Sequence, residues 1–322
     1  MGLIWEKAHK PVLERLGESI QLKAFCTSSL DSMKRCKALY PALSPFDSYQ
    51  ALVGSRDLDA VLVLTPIQLN AAVTIAALNA GKDVFVEKPM ALNVRDGQRI
   101  IEEERRTGKR VYILEQVLYS RKWEIVEQAI ESGKIGSVVM FDYLDHFFLD
   151  HTDDKTGGYG KTQWRIEADF PLGALFDGGI HDIAIMTKLF KKPAYVLALG
   201  SNLRKEFGKY DHIALILQYS NACTGFFSHS AFLGGSENYF HIRGTEGLIS
   251  LREAHVVTEK KNGEKWVTEV EEENLHEIMW RRLIRCIEKN EKPPFSSSDA
   301  LEGLMIMEGI ERSLAHGGIE PI

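Results

Sequence analysis

Apolar and polar positions in the first third of the chain alternate between two rhythms. IQLKAFC (Ile20–Cys26) has the spacing of a strand, and a helical period follows over Asp31–Leu39. DAVLVLT (Asp59–Thr65) is a continuous apolar run, the pattern of a parallel strand buried on both faces. NAAVTIAALNAGK predicts a helix stopped at Gly81, and DVFVEK the next strand. Asn93 is placed to cap a helix running to Gly108, and VYILE follows as a strand. The chain opens on MGLIWEKAHKPVLERL, a glycine, two large apolar residues, a charged turn and a Pro-started helix. That order of residues ordinarily follows a strand. The alternation of strand and helix predicts an α/β fold with a doubly wound parallel sheet.

The rhythm changes after Gln116. A helix is predicted over Arg121–Ser132, and then strand-like runs succeed one another. They begin with VVMFDYLDHFF and continue at Tyr195–Leu199, His212–Tyr219, Cys223–Phe232, Tyr239–Arg243, Leu248–Leu251 and His255–Glu259. Few helices separate them, which predicts an α+β domain with a large, mainly antiparallel open sheet. Helices return at Asn274–Lys289 and Ser298–Ser313. The expected division is 1–116 and 117–322, with the last helix able to pack back on the first domain.

Composition narrows the function classes. The 322 residues suit one large or two ordinary domains, and 44% hydrophobic residues are enough for a core. A net charge of -6 argues against nucleic acid or an anionic membrane as the main partner. No apolar run reaches the roughly 20 residues that span a bilayer, and the first residues lack the apolar centre of a signal peptide. Cys26, Cys36, Cys223 and Cys286 are widely spaced, so neither a disulfide framework nor a zinc site is expected and a reducing cytoplasm is the default.

Three stretches carry candidate chemistry. VFVEKPMAL (Val84–Leu92) ends a buried strand in Glu87-Lys88-Pro89. Ligands of open α/β sheets sit beyond the carboxyl ends of strands, where Lys88 would place its ammonium. In PLGALFDGGIHDIAIM, a helix beginning near Leu175 would put Asp177 and His181 four apart on one face, a carboxylate and an imidazole able to bind a polyol and take its proton. In LTPIQLN, Thr65, Pro66 and the following helix start are placed to meet a cofactor. Each also has a plain structural reading: a surface lysine, a packed histidine, an ordinary strand–helix turn.

Taken together, the motifs resemble the Gfo/Idh/MocA oxidoreductases, named for glucose–fructose oxidoreductase and inositol dehydrogenase. The similar stretches are AHKPVLERL, DAVLVLTPIQLN, AALNAGKDVFVEKPMAL, SGKIGSV, Trp164–Arg165, LGALFDGGIHDI and IRGTEGLISL, in family order over nearly the whole chain. The resemblance implies a Rossmann domain followed by an α/β domain whose open sheet builds a homo-oligomer, a dimer or tetramer. It implies oxidation of a secondary alcohol of a sugar, sugar derivative or cyclitol with NAD or NADP. Lys88 would stabilise charge on the reacting oxygen, His181 would act as general base, and Asp177 would fix a neighbouring hydroxyl. The implied cofactor contacts are Gly2, Leu3, Ile4, Thr27, Ser28, Ser29, Thr65, Pro66, Asn70, Glu87, Lys88, Pro89 and Gln116. Thr27 stands where the family usually has an acid, and Asn70 where it often has histidine. Hydroxyls without the acid, with Lys34 and Arg35 downstream, lean toward NADP.

Leu144–Arg165 is the most individual segment. Its Asp145, His146, Asp150, His151, Asp153 and Asp154 fit no standard metal spacing, so a polar substrate-facing loop is expected and no metal. Trp164 either stacks on a sugar or packs in the core; Arg165 either binds a substrate anion or makes a structural salt bridge. His229 and His241, on predicted strands, read as structural. The same fold also hosts NAD-dependent glycosidases and non-catalytic sugar- or cofactor-binding regulators.

Aligned by His-x-Pro, MGLIWEKAHKP fits the family pattern G-x-G-x-I-x-x-x-x-H-x-P without a gap. Gly2 takes the second glycine and Ile4 the apolar position. The first glycine and first strand are absent from the sequence. The expectation is an interrupted Rossmann sheet, with upstream codons that encode the strand.

Overall fold

The computed structural model describes residues 2–149, 159–166, 171–204, 208–234, 238–252, 254–271 and 273–322. A π-helical turn (Trp5–His9) runs into α1 (Lys10–Arg15). Then come β1 (Ala24–Cys26), α2 (Leu30–Leu39), β2 (Ser44–Phe46), α3 (Tyr49–Val53), β3 (Ala60–Val63), α4 (Ile67–Asn79), β4 (Asp83–Glu87), α5 (Val94–Thr107) and β5 (Val111–Leu114). The second half contains α6 (Arg121–Glu131), β6 (Val138–His146), α7 (Gln163–Ile166), α8 (Ala174–Asp177) and α9 (Ile180–Phe190). It continues with β7 (Tyr195–Ser201), β8 (His212–Gln218), β9 (Thr224–Ser230), β10 (Tyr239–Gly244), β11 (Gly247–Arg252), β12 (His255–Lys260) and β13 (Lys265–Glu269). α10 (Leu275–Glu288), α11 (Ser297–His316) and β14 (Glu320–Pro321) close the chain.

Two compact units emerge. One holds residues 1–116 and 274–301, the other 117–273 and 302–322. The chain therefore returns to its first unit with α10 and the start of α11, and not with the last helix as a whole.

In the first unit the parallel sheet comes in two pieces, β1–β2 and β3–β4–β5. Among the described residues no strand joins them. β4 is buried almost throughout and β5 completely, which explains their unbroken apolar sequence. The predicted strand Ile20–Cys26 is ordered as a strand only over its last three residues. Ser29, Ser48 and Asn93 cap α2, α3 and α5 by accepting the N–H three residues on. Gly108 ends α5 in the left-handed conformation at φ 67°.

α10 brings Trp280 into this unit. Its indole is 1% exposed and lies 4.9 Å from the ring of Phe85 in β4. The indole N–H donates to His9 Nδ1 at 3.1 Å. Because indole only donates, Nδ1 accepts, and His9 Nε2–H donates to Glu87 at 2.8 Å. The first helix, β4 and α10 are thus tied through one fully buried imidazole.

The second unit is built on a nine-stranded sheet in the order β13-β12-β11-β10-β6-β9-β8-β7-β14. All pairs are antiparallel except β6–β9. One face carries the core. Phe141 of β6 stacks on Phe190 at the end of α9 with ring centres 4.4 Å apart, and meets Phe240 of β10 edge-on. Gly225 of β9 is required there, because a Cβ would enter the Phe141 ring. The opposite face exposes Leu199, Ile216 and Phe226 around a groove of about 300 Å³. β13, with the alternation Lys265–Glu269, escapes the sequence reading because its apolar face is sparse.

Candidate functional site

In the first unit the carboxyl ends of the parallel strands carry the expected polar groups. Beyond β1, Thr27 is half-buried and Ser28 and Ser29 are exposed. Ser29 caps α2, and Thr27 Oγ1 accepts the Ser29 N–H at 3.4 Å. The residue directly after β1 is thus a threonine, not an acid; Asp31 lies in the first turn of α2, and Asp47, which follows β2, acts on Cys26 at the end of β1. Beyond β3, Pro66 is the exposed N-cap of α4.

Asn70 organises the end of β4. Thr65 donates its hydroxyl to Asn70 Oδ1 at 2.8 Å. The Asn70 amide then donates to the carbonyls of Glu87 and Pro89 at 3.2 and 2.9 Å. It grips the backbone on both sides of Lys88, whose peptide to Pro89 is cis. A neutral histidine here would offer one donor, whereas the single amide nitrogen of Asn70 serves both carbonyls. Lys88 itself is half-buried at the strand end. Glu87 points elsewhere: its carboxylate is buried and committed to His9. Gly2 is exposed, Leu3 and Ile4 begin the first helix, and Gln116 opens a short 3-10 turn at the end of the unit.

In the second unit Asp177 and His181 do not share one continuous helix. α8 ends at Asp177 and α9 starts at Ile180, which corrects the expectation of a single helical face. Gly178 and Gly179 make the break. A Cβ on Gly179 would collide with Leu175 and sit 3.1 Å from two atoms of the His229 ring. Asp177 is held by Arg165, whose Nε donates to Oδ2 at 2.5 Å. Arg165 also donates to Thr162 Oγ1 at 3.1 Å and lies over the Tyr159 ring. The salt-bridge reading of Arg165 therefore holds, and its partner is the candidate substrate-orienting acid. Trp164 lies in α7, and its side chain, like residues 150–154 of the polar loop, lies outside the described residues.

A group that sequence reasoning missed lies directly beneath this turn. Asp145 of β6, Asp182 of α9 and His229 of β9 form a cluster whose polar atoms lie within 4.8 Å of one another. His229 Nδ1 is 3.4 Å from Asp182 and 3.5 Å from Asp145. Tyr143 donates its hydroxyl to Asp182 at 2.5 Å. Burial opposes charge on His229, but the two carboxylates outweigh it and raise its pKa to about 9. Burial raises Asp182, and it also opposes charge on Asp145, where His229 wins and lowers the pKa. Burial lowers Lys122 of α6, against the pull of Asp182 and Asp145. Two cationic side chains thus act on two carboxylates. The only hint in the sequence is that Asp182 follows His181 directly.

An α/β unit with donors at its strand ends, joined to a large open sheet, is the architecture of a two-domain nucleotide-dependent oxidoreductase. Residues 1–115 match the model of the Gfo/Idh/MocA oxidoreductase family with its NAD-binding Rossmann fold, and residues 123–250 match the family's C-terminal domain. The chain belongs to that family. It is 28% identical over 220 residues to an uncharacterised protein of Saccharomyces cerevisiae, a match covering 66% of this chain and 60% of the yeast protein. It is 38% identical over 96 residues to inositol 2-dehydrogenase of Salmonella typhimurium, covering 30% and 29% of the two chains. Its fold is that of the WlbA dehydrogenase of Bordetella pertussis, solved with NADH and UDP-GlcNAcA, with a TM-score of 0.85, 20% identity and coverage of 100% and 96%. Both curated relatives are therefore matched over less than two thirds of their own length. Among the described residues, no helix is long and apolar enough to cross a membrane.

Proposed function

We propose that this protein oxidises a secondary alcohol of a sugar, sugar derivative or cyclitol with a nicotinamide cofactor. The observation that carries the reading is the Asn70 grip on both sides of Lys88, which fixes the backbone of a lysine at the carboxyl end of a buried parallel strand. The named relatives support the substrate class, as they include an inositol dehydrogenase and a dehydrogenase solved with a nucleotide sugar. The half-buried hydroxyl of Thr27, the exposed hydroxyls of Ser28 and Ser29 and the helix starts at Leu3 and Pro66 fit a dinucleotide, since they offer hydrogen-bond donors. Bound cofactor supplies the hydride acceptor. Lys88 stabilises negative charge developing on the alcohol oxygen, and His181 takes the proton. Asp177, steadied by Arg165, accepts from a neighbouring substrate hydroxyl and orients the reacting carbon.

A panel of sugars, sugar phosphates, nucleotide sugars and inositols, followed by reduced-cofactor absorbance with NAD and NADP in parallel, tests this. Absence of turnover across the panel by the purified chain would sink it. The glycosidase reading requires glycoside cleavage without net cofactor turnover, and the same assays detect it.

The hydroxyl-only end of β1 favours NADP in our reading. Thr27→Asp should then move the kcat/KM ratio toward NAD roughly tenfold or more, because a carboxylate accepts from the ribose hydroxyl and repels a 2′-phosphate. An unchanged ratio would remove Thr27 from cofactor selection.

The open sheet face is proposed to pack on a second copy of this chain. Leu199, Ile216 and Phe226 are 68, 41 and 42% exposed on adjoining strands, an apolar patch of the kind that oligomers cover. Sedimentation should show a dimer or larger, and Phe226→Lys should shift it toward monomer. A wild-type monomer at micromolar concentration would refute the assignment. Cys26, Cys36, Cys223 and Cys286 form no disulfide among the described residues, which fits a reducing compartment.

A further inference from the structure

The buried cluster beneath the Asp177–His181 turn is used by neither the cofactor nor the substrate assignments. His229 is 2% exposed, and neither ring nitrogen forms a well-aligned hydrogen bond. Its nearest polar neighbours are the two carboxylates at 3.4 and 3.5 Å, the spacing of an ion pair. The ring presses on Gly179, the residue midway between Asp177 and His181. Phe147 covers it edge-on at 5.3 Å, and the same ring would lie 3.6 Å from a Cβ on Gly178. Asp182, which His229 holds, is the residue after His181. The imidazole therefore touches the turn at its middle and ties it at its far end.

We propose that His229, clamped between Asp145 and Asp182, is a positioning residue that holds the Asp177–Gly178–Gly179–Ile180–His181 turn in place only while it carries its proton. This rests on the dehydrogenase reading for its link to turnover, but not for its structural content. Both carboxylates lie against the same nitrogen, Nδ1, so it is the charge of the imidazolium, not a second N–H, that offsets the half-buried Asp145 and the buried Asp182; loss of the proton leaves the two acids with Lys122 as their remaining cation and strengthens their repulsion. The turn is the lightest element touching the cluster, two short helices broken by two glycines, and it would move first.

The titratable and charged groups facing His229 come from several elements. Asp145 and Tyr143 lie on β6, Asp182 on α9 and Lys122 on α6. Glu273, beside Lys122, follows β13. His146 on β6 and His212 on β8 share its field: burial lowers both, His229 lowers both further, and His212 adds to the effect on His146. The sign follows from His229. Its pKa is raised in the folded protein, so the clamp is complete at neutral pH and is lost as pH rises through about 9.

The test uses the full chain labelled with 13C-histidine and 15N. The His229 ring signal, assigned by its absence in His229→Asn, should titrate with a midpoint near 9, and the Gly179 amide should shift with the same midpoint. Asp145→Asn removes one carboxylate and should lower both midpoints by about one pH unit. In the enzyme assay, kcat should fall on the alkaline side with that midpoint, and the fall should move down with it in Asp145→Asn. Lys122→Met, which removes the half-buried cation on the far side of the two acids but leaves His229 in place, should retain that limb. His229→Asn keeps a donor without a charge and should lose kcat roughly tenfold, with KM for the cofactor unchanged. An ordinary histidine midpoint near 6.5, a Gly179 amide indifferent to it, or a bound metal ion lost in Asp145→Asn would overturn the proposal. If the wild type turns over no polyol, the dehydrogenase reading fails while the two midpoints still decide the clamp.

Discussion

Lys88→Ala and His181→Ala, made separately, are expected to cut turnover of a polyol substrate at least 100-fold and to leave the folded state intact. The size follows from the roles proposed. A positioned general base contributes about 10²–10⁴ in rate, and one preorganised charge on a developing alkoxide contributes about 10²–10³. Neither side chain is an element of the apolar core; both are half-buried at the ends of the elements that carry them. Unfolding temperatures should therefore stay within a few degrees of wild type, the behaviour of surface substitutions. Asp177→Asn should act more on KM than on kcat, because Arg165 would still hold the amide oxygen. Rates near wild type in both alanine variants would sink the assigned roles.

Trp280→Ala should give the largest loss of stability among single changes in the first unit. A buried tryptophan replaced by alanine costs about 3–5 kcal/mol. Here the indole N–H also satisfies His9 Nδ1, which is fully buried, and leaving that acceptor unpaired adds about 1–3 kcal/mol. Differential scanning calorimetry should show the transition of this unit lowered by roughly 10 °C or more. Trp280→Phe retains most of the contact with Phe85 but not the donor, so it should lie between wild type and alanine. A shift under about 2 °C for the alanine variant would mean that the His9–Glu87–Trp280 chain is not a cornerstone of this unit.

The sequence showed most clearly what depends on local pattern. The β3-α4-β4-α5-β5 run was legible because β4 and β5, buried on both faces, leave continuous apolar runs, β3 is apolar throughout though buried only at alternate residues, and Asn93 marks the start of α5. Glu87-Lys88-Pro89 and Asp177-x-Gly-x-His181 were legible as motifs, and the structure puts the first at a strand end and the second in a turn. Long-range pairing was not legible. Nothing near His9 announces that its partners are Glu87 and Trp280, 78 and 271 residues away. His229 read as a structural strand residue because its neighbours in sequence are Ser228 and Ser230. Its carboxylate partners arrive from β6 and α9 only when the sheet is assembled. The break between α8 and α9 was misread as one helix because spacing alone cannot say whether two glycines extend a helix or end it.

The return of α10 to the first unit bears on how such chains can be recombined. The nucleotide-binding unit is discontinuous in sequence: residues 1–116 furnish its sheet, and residues 274–301 furnish the helix whose indole completes its interior. A chimera that exchanges only the N-terminal segment with a relative would pair a foreign β4 and His-x-Pro helix with this chain's Trp280. Two separated pieces of sequence must then be inherited together, so substitutions at His9, Phe85, Glu87 and Trp280 should be tied to one another more tightly than to anything between Gln116 and Asn274.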